Sequence, residues 1–205
     1  MLRHHSLPSE FAPLAMDFGE YVYHRASHRV PLLWAMHSLH HSDPAVDAST
    51  TPRHFWVEPA IKTFTIYLAV GLLFRASAPI LAVYWFISIW NYVLHMNIRL
   101  SFDRMWFLLN SSQFHRVHYS AEPQHRDRNF GALFTIFDAL FGTAYVPSPG
   151  EYPVTGLEDG DIPGSILEAF LAGSWLLASN RAGLTHQPRI DGICSPPQAR
   201  LRMHV

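Results

Sequence analysis

Five histidines fall within eighteen residues, His24 to His41, in the run HRASHRVPLLWAMHSLHH. No other feature constrains the fold of this chain as strongly. His24 and His28 are spaced i,i+4, so a helix sets their rings one turn apart on one face. His37, His40 and His41 read HxxHH, and i, i+3 and i+4 share a face in the same way. Neutral imidazole is the commonest protein metal ligand, and two rings on one helix face reach one ion without backbone distortion. A third pair, His115 and His118, comes only after two apolar runs. For the three groups to serve one site, the chain must leave and return. The bland alternative is a set of satisfied core or interface histidines, but seven such residues would each need a buried partner.

Composition narrows the classes. Apolar residues make up 49% and charged residues 15% of 205, with aromatics at 14%. That balance leans toward a membrane protein with polar extensions, of one domain. A net charge of −1 offers no electrostatic case for nucleic acid. Cys194 stands alone, which excludes an internal disulfide and any CxxC zinc site, so a metal must be held by histidine and carboxylate. The N-terminus has no sustained apolar core and is not a signal peptide. There is no internal repeat, phosphate-cradling Gly loop, GxSxG or HExxH. The missing HExxH removes the general-base glutamate of a zinc hydrolase.

In chain order, residues 1–12 read as a leader. Helical period runs from Pro13 to about Arg29, with Asp17, Glu20, Tyr21, His24 and His28 on one stripe. The carboxylates of Asp17 and Glu20 can orient and polarise a metal-bound imidazole or ligate directly, although Glu20–His24 equally reads as a surface pair. Pro31 restarts a second helix as a first-turn residue, and Asp43-Pro44 ends it. A polar, turn-rich segment follows, with His54 outside every histidine group. Loss of His54, or of His186 far downstream, is expected to do little.

Two apolar runs, 63–74 and 80–98, flank a turn containing Arg75. At about 1.5 Å per residue the first is short for roughly 30 Å of hydrocarbon, and the second is long enough. They read as a helical hairpin over about 61–98, dipping into or crossing a bilayer. Two buried helices of a soluble all-α core are the competing reading. A hairpin brings the histidine groups to one side, which carries Arg25, Arg29, Arg53, Lys62, Arg99, Arg104 and Arg116 against Arg75 at the tip. The positive-inside bias makes that side cytoplasmic. His95 ends the second arm beside Asn97 and either snorkels or points at the site; the site is favoured. Beyond His115 and His118, His125 lies in a polar loop with Asp127 and Asn129. GALFTIFDALFGT then reads as a partly amphipathic helix. Residues 148–205 form a polar tail with one weakly amphipathic segment, Ile166 to Ala178. Trp34, Phe114 and Phe130 read as packing first and as channel lining second.

HRASH, HSLHH, the His95–Asn97 element, HRVHYS and DRNFG…FDALFGT together resemble the fatty acid hydroxylase / sterol desaturase superfamily, over about residues 11–147. The resemblance implies an all-α integral membrane bundle with a hairpin in the bilayer and a histidine-lined cytosolic-face cap. It implies a non-haem di-iron oxygenase that uses O2 and external electrons to hydroxylate or desaturate a lipid, sterol or related apolar substrate. The electrons would come from a cytochrome b5-, ferredoxin- or reductase-like donor, and zinc could occupy the site on isolation. The implied ligands are His24, His28, His37, His40, His41, His115 and His118. Tyr119 stands where the family carries its last histidine, which leaves His95, His125 or the phenol itself to substitute. Asp17, Glu20, Asn97 and Asp127 are the remaining candidates near the metals. Members carry membrane helices ahead of the first histidine group, where this chain has about a dozen residues before Asp17, so it reads as N-terminally short. A metal-binding homologue that has lost catalysis, loaded with zinc or a single metal in a structural role, is the alternative.

Overall fold

Val30 takes an extended conformation (φ −95°, ψ 116°) because the residue before a proline avoids helical geometry. It therefore separates two helices, α1 (Ala12–Arg29) and α2 (Pro31–His41), each with proline in its first turn. The computed structural model describes residues 8–74 and 78–157. After α2 the chain runs through a loop held by a capping box, in which Asp47 accepts from Ser49 N while Asp47 N donates to Thr50 Oγ1. Helix α3 (Glu58–Lys62), a π turn (Thr63–Tyr67) and α4 (Leu68–Phe74) follow without interruption. Helix α5 (Ala78–His95) returns, and α6 (Ser112–His118) starts from Ser111, whose hydroxyl accepts from Phe114 N. The last helix is α7 (Ile136–Leu140). The described residues contain no strand, only one antiparallel bridge between Ser120 and Thr155. The all-α expectation therefore agrees with the structure.

The core lies where α1 crosses α4 and α5. Met16, Ile66, Val70, Phe74, Ile80, Ile87 and Leu133 are buried together there, and each such side chain contributes about 1.5–3 kcal/mol. Gly19 lets α1 approach the π turn, since a Cβ there would meet Ile66 Cγ2 at 2.7 Å. The outer faces of the hairpin stay open: Phe64 is 72%, Leu72 75% and Trp85 66% exposed, with Leu81, Phe86 and Ile89 also exposed. Among the described residues, however, no helix is long and apolar enough to cross a membrane, so a full crossing by the second arm is not supported. Arg75, at the expected tip, lies outside the described residues, as do His186 and Ile166 to Ala178.

Two expectations are corrected. GALFTIFDALFGT is not one helix. Buried carboxylates hold the chain ahead of α7 in a turn: Asp138 accepts from Phe130 N and Gly131 N, each at 2.8 Å, and Asp17 accepts from Leu133 N and Phe134 N. Only α7 remains helical. The segment from 148 is also more than a tail up to residue 157. Ala121 N donates to Val154 O, Gly156 N to Tyr119 O, and Arg116 Nε to Pro153 O.

Candidate metal centre

Helices α1, α2 and α6 bring His24, His28, His37, His41 and His118 together, with one ring nitrogen from each within 4.8 Å of the others. Two imidazoles bound cis to one ion, with metal–nitrogen bonds near 2.0–2.1 Å, have ring centroids about 4.5–5.2 Å apart and nitrogens about 2.9–3.4 Å apart. The observed centroid separations run from 4.3 Å (His24–His118) to 5.4 Å (His24–His28), and Nε2 of His28 lies 3.2 Å from Nε2 of His41. The residues fit a metal ion.

The far ring nitrogens of His24, His28, His37 and His118 face acceptors, which decides their tautomers. His24 Nδ1 donates to Phe130 O at 2.9 Å, and His118 Nδ1 donates to Arg128 O at 2.7 Å. His37 Nδ1 donates to Glu58 at 2.8 Å, and Asp127 lies 3.6 Å from His28 Nδ1. A carbonyl can only accept, so Nε2 of His24 and His118 carries the lone pair. The Nε2 atoms of His24, His37 and His118 are buried with no partner. An orphaned buried acceptor costs about 1–3 kcal/mol, and a metal ion would remove that cost. Burial, reinforced by neighbouring imidazoles, holds His24, His41 and His118 well below the ordinary histidine range and His37 down to about 4. At neutral pH these rings are uncharged, the form that can bind a metal ion.

A second group adjoins the first. His40 lies 5.3 Å from His95 between ring centroids, His95 lies 4.8 Å from His115, and the Tyr119 ring is 5.2–5.3 Å from all three. The phenol hydroxyl sits between His95 Nε2, at 2.8 Å, and His40 Nε2, which it meets in a short contact. His95 Nδ1 donates to Asn91 O, while His40 Nδ1 and His115 Nε2 are buried without partners. Trp34 and Phe130 wall the cluster against His28, whereas Phe114 packs on Trp106.

Other candidates stand apart. His125 is a correction: its ring nitrogens are taken by Ser120 Oγ at 2.8 Å and Glu151 Oε1 at 3.0 Å, so it does not reach the cluster. Glu20 pairs with Lys62 at 2.6 Å and accepts from Tyr67, Asp17 serves the backbone of Leu133 and Phe134, and Asn97 accepts from Tyr152. Burial pushes Asp17 up to about 7 against those backbone donors. Sequence reasoning missed Glu58, which is almost fully buried and accepts from both His37 and His54. Burial alone would raise its carboxyl, but the two imidazole hydrogen bonds hold it well below the carboxylate range. The i,i+4 spacing of His54 and Glu58 was the available signal.

The chain is 28% identical over 147 residues to alkylglycerol monooxygenase of Caenorhabditis elegans, covering 72% of this chain and 29% of that protein. The human alkylglycerol monooxygenase is 29% identical over 130 residues, 63% of this chain and 29% of that protein. Ornithine lipid hydroxylase OlsE of Rhizobium tropici is 27% identical over 159 residues, 76% and 46% of the two chains. The chain thus spans about three-tenths of the length of the first of these curated relatives. No solved structure matches it. The fatty acid hydroxylase profile matches residues 11–143, well over half of the sequence and every histidine of the cluster, and the chain therefore belongs to the fatty acid hydroxylase family.

Proposed function

We propose that the chain forms the catalytic part of a membrane-associated, metal-dependent oxygenase. It hydroxylates, or in a sister outcome desaturates, a lipid with O2 and electrons from an external donor, and it carries two irons. The observation that carries this reading is the convergence of buried, neutral imidazoles with unpartnered nitrogens from three separated segments. His24, His28, His37, His41 and His118 would hold one ion, and His40, His95 and His115 the other, with the Tyr119 phenol beside it. When bound, iron supplies the O2 activation that attack on an unactivated C–H bond requires. The protein's share is to exclude water by burial, to keep the lone pairs of His24, His37, His95 and His118 aimed by their Nδ1 anchors, and to admit an apolar chain. The relatives' names, alkylglycerol monooxygenase and ornithine lipid hydroxylase, favour a lipid and hydroxylation over desaturation. The open apolar faces of α4 and α5 suit a hairpin seated in the bilayer. The arginine- and lysine-rich histidine side would face the cytoplasm.

Tyr119 favours a second reading, a metal-binding homologue without catalysis that holds zinc or a single metal for structure. Lipid extracts of cells with and without the gene separate the two. A product heavier by one oxygen, with iron in the purified chain, supports the oxygenase. Unchanged lipids with tightly held, redox-silent zinc support the homologue.

A further inference from the structure

Two guanidinium groups meet over one aromatic ring on the histidine side. Arg99 follows the end of α5, and Arg116 stands between His115 and His118 on α6. Both lie over the Tyr152 ring, with Cζ atoms 4.6 Å and 3.9 Å from its centroid. The ring is held in place: Tyr152 donates its hydroxyl to Asn97 Oδ1 at 2.6 Å, and Arg116 Nη1 donates to the same oxygen at 3.4 Å. Arg116 Nε donates to Pro153 O at 2.9 Å, so three separate stretches of chain converge there. Among the described residues neither cation forms an ion pair. The adjacent carboxylate, Glu151, is taken by His125, Tyr145 and the Ser148 N–H. Two like charges drawn together without a counter-ion repel, and an oxyanion shared by both relieves that repulsion. The setting is that of a bilayer surface. On α5, Trp85, Ile89, Tyr92 and Met96 make an exposed apolar row spaced three or four apart, and Arg99 comes three residues after its end. Cations directly beyond an apolar face stand at the depth of lipid phosphates.

We propose that Arg99 and Arg116, held on Tyr152, form a binding site for the phosphate of a lipid headgroup. The choice of a lipid as the source of that phosphate rests on the bilayer-seated reading above. Arg116 is the fixed half of the site, pinned by Pro153 and Asn97. Arg99 is exposed and, among the described residues, held by the ring contact alone, so its guanidinium is free to close on the phosphate. A guanidinium fork pairs with two phosphate oxygens at once, which an ammonium does not.

Calorimetric titration of the full chain in a neutral detergent tests this, with dioctanoyl phosphatidic acid, dioctanoylglycerol and inorganic phosphate as the probes. The wild type is expected to bind phosphatidic acid about tenfold more tightly than either of the others. Arg99→Gln removes no hydrogen bond within the described fold, and it should weaken phosphatidic acid about tenfold while leaving dioctanoylglycerol unchanged. Arg99→Lys should recover only part of that loss. Arg116→Gln should match Arg99→Gln in its effect. Arg29→Gln, which loses an exposed cation beside Asp127 instead, should behave as the wild type. Unchanged phosphatidic acid affinity in Arg99→Gln, or an equal loss in Arg29→Gln, overturns the site and leaves the oxygenase reading intact. Inorganic phosphate bound as tightly as phosphatidic acid overturns the lipid as its source. Failure of the oxygenase reading shows elsewhere, as unchanged lipid extracts, whatever the phosphate titrations give.

Discussion

At the scale of single residues, the centre is decided by which end of each imidazole is tied down. The carbonyls of Arg128 and Phe130 and the carboxylate of Glu58 each take an Nδ1 proton, and the opposite nitrogens are left bare in a buried space. Tyr119 is the exception in this set. Burial, then the Glu58 and Asp43 carboxylates, raise its phenol well above the ordinary tyrosine range, so the phenolate is disfavoured and a neutral phenol is a poor ligand. Tyr119→His is therefore expected to tighten the second metal position about tenfold, measured as the Co(II) dissociation constant of that step. Unchanged affinity would mean that the phenol already ligates as well as an imidazole.

At the scale of elements, the loop between α6 and α7 holds the histidine helices in place. Asp138 accepts from Phe130 N, Gly131 N and Thr143 Oγ1 at 2.7–2.8 Å, and Thr143 in turn is 2.9 Å from the Tyr21 hydroxyl on α1. Gly131 is needed there, because a Cβ would meet Phe134 O at 2.7 Å and Asp138 Oδ2 at 2.9 Å. The same loop supplies the carbonyls that anchor His24 and His118. Asp138→Ala leaves two buried N–H groups without acceptors and should cost about 2–5 kcal/mol. It should also loosen the first metal position, although Asp138 touches no imidazole of the cluster. Denaturant unfolding and metal titration on the same variant check both effects, and full metal affinity in a destabilised variant would separate the loop from the site.

At the scale of the whole molecule, burying so many uncharged imidazoles makes stability depend on pH. His24, His28, His37, His40, His41, His115 and His118 are all held below 6.5 in the fold, His37 to about 4. A base depressed in the native state contributes stability above its unfolded value and loses it as pH falls, because the unfolded chain binds more protons. Asp17, raised to about 7, and Asp138, also raised, work in the opposite sense, gaining stability as pH falls toward 3.8. Seven groups outweigh two, at about 1.4 kcal/mol per proton and pH unit. The metal-free chain is expected to lose several kcal/mol between pH 6.5 and 4, a large share of an ordinary total of about 5–15 kcal/mol. Thermal midpoints across that window measure it, and a flat profile would mean that the rings are not buried in neutral form.

The histidine-bearing helices were legible in the sequence because helical period, proline breaks and the spacing within HxxxH and HxxHH are local properties of the backbone. So was the return of the chain between His41 and His115, since two apolar runs with a turn between them have few ways to pack. What the residue order could not reveal depended on contacts between distant segments. Asp17, on α1 more than a hundred residues away, takes the N–H groups of Leu133 and Phe134, and nothing in the apolar pattern of GALFTIFDALFGT points to that partner. His54 reads as a loop residue until the 47–50 turn folds it onto His40, and Glu58 reads as a helix-start carboxylate until two imidazoles meet on it. Local hydrogen bonding set which rings share a helix face. Only the closed fold decided which nitrogens lie close enough to share an ion, because that distance is fixed by packing between segments up to about ninety residues apart.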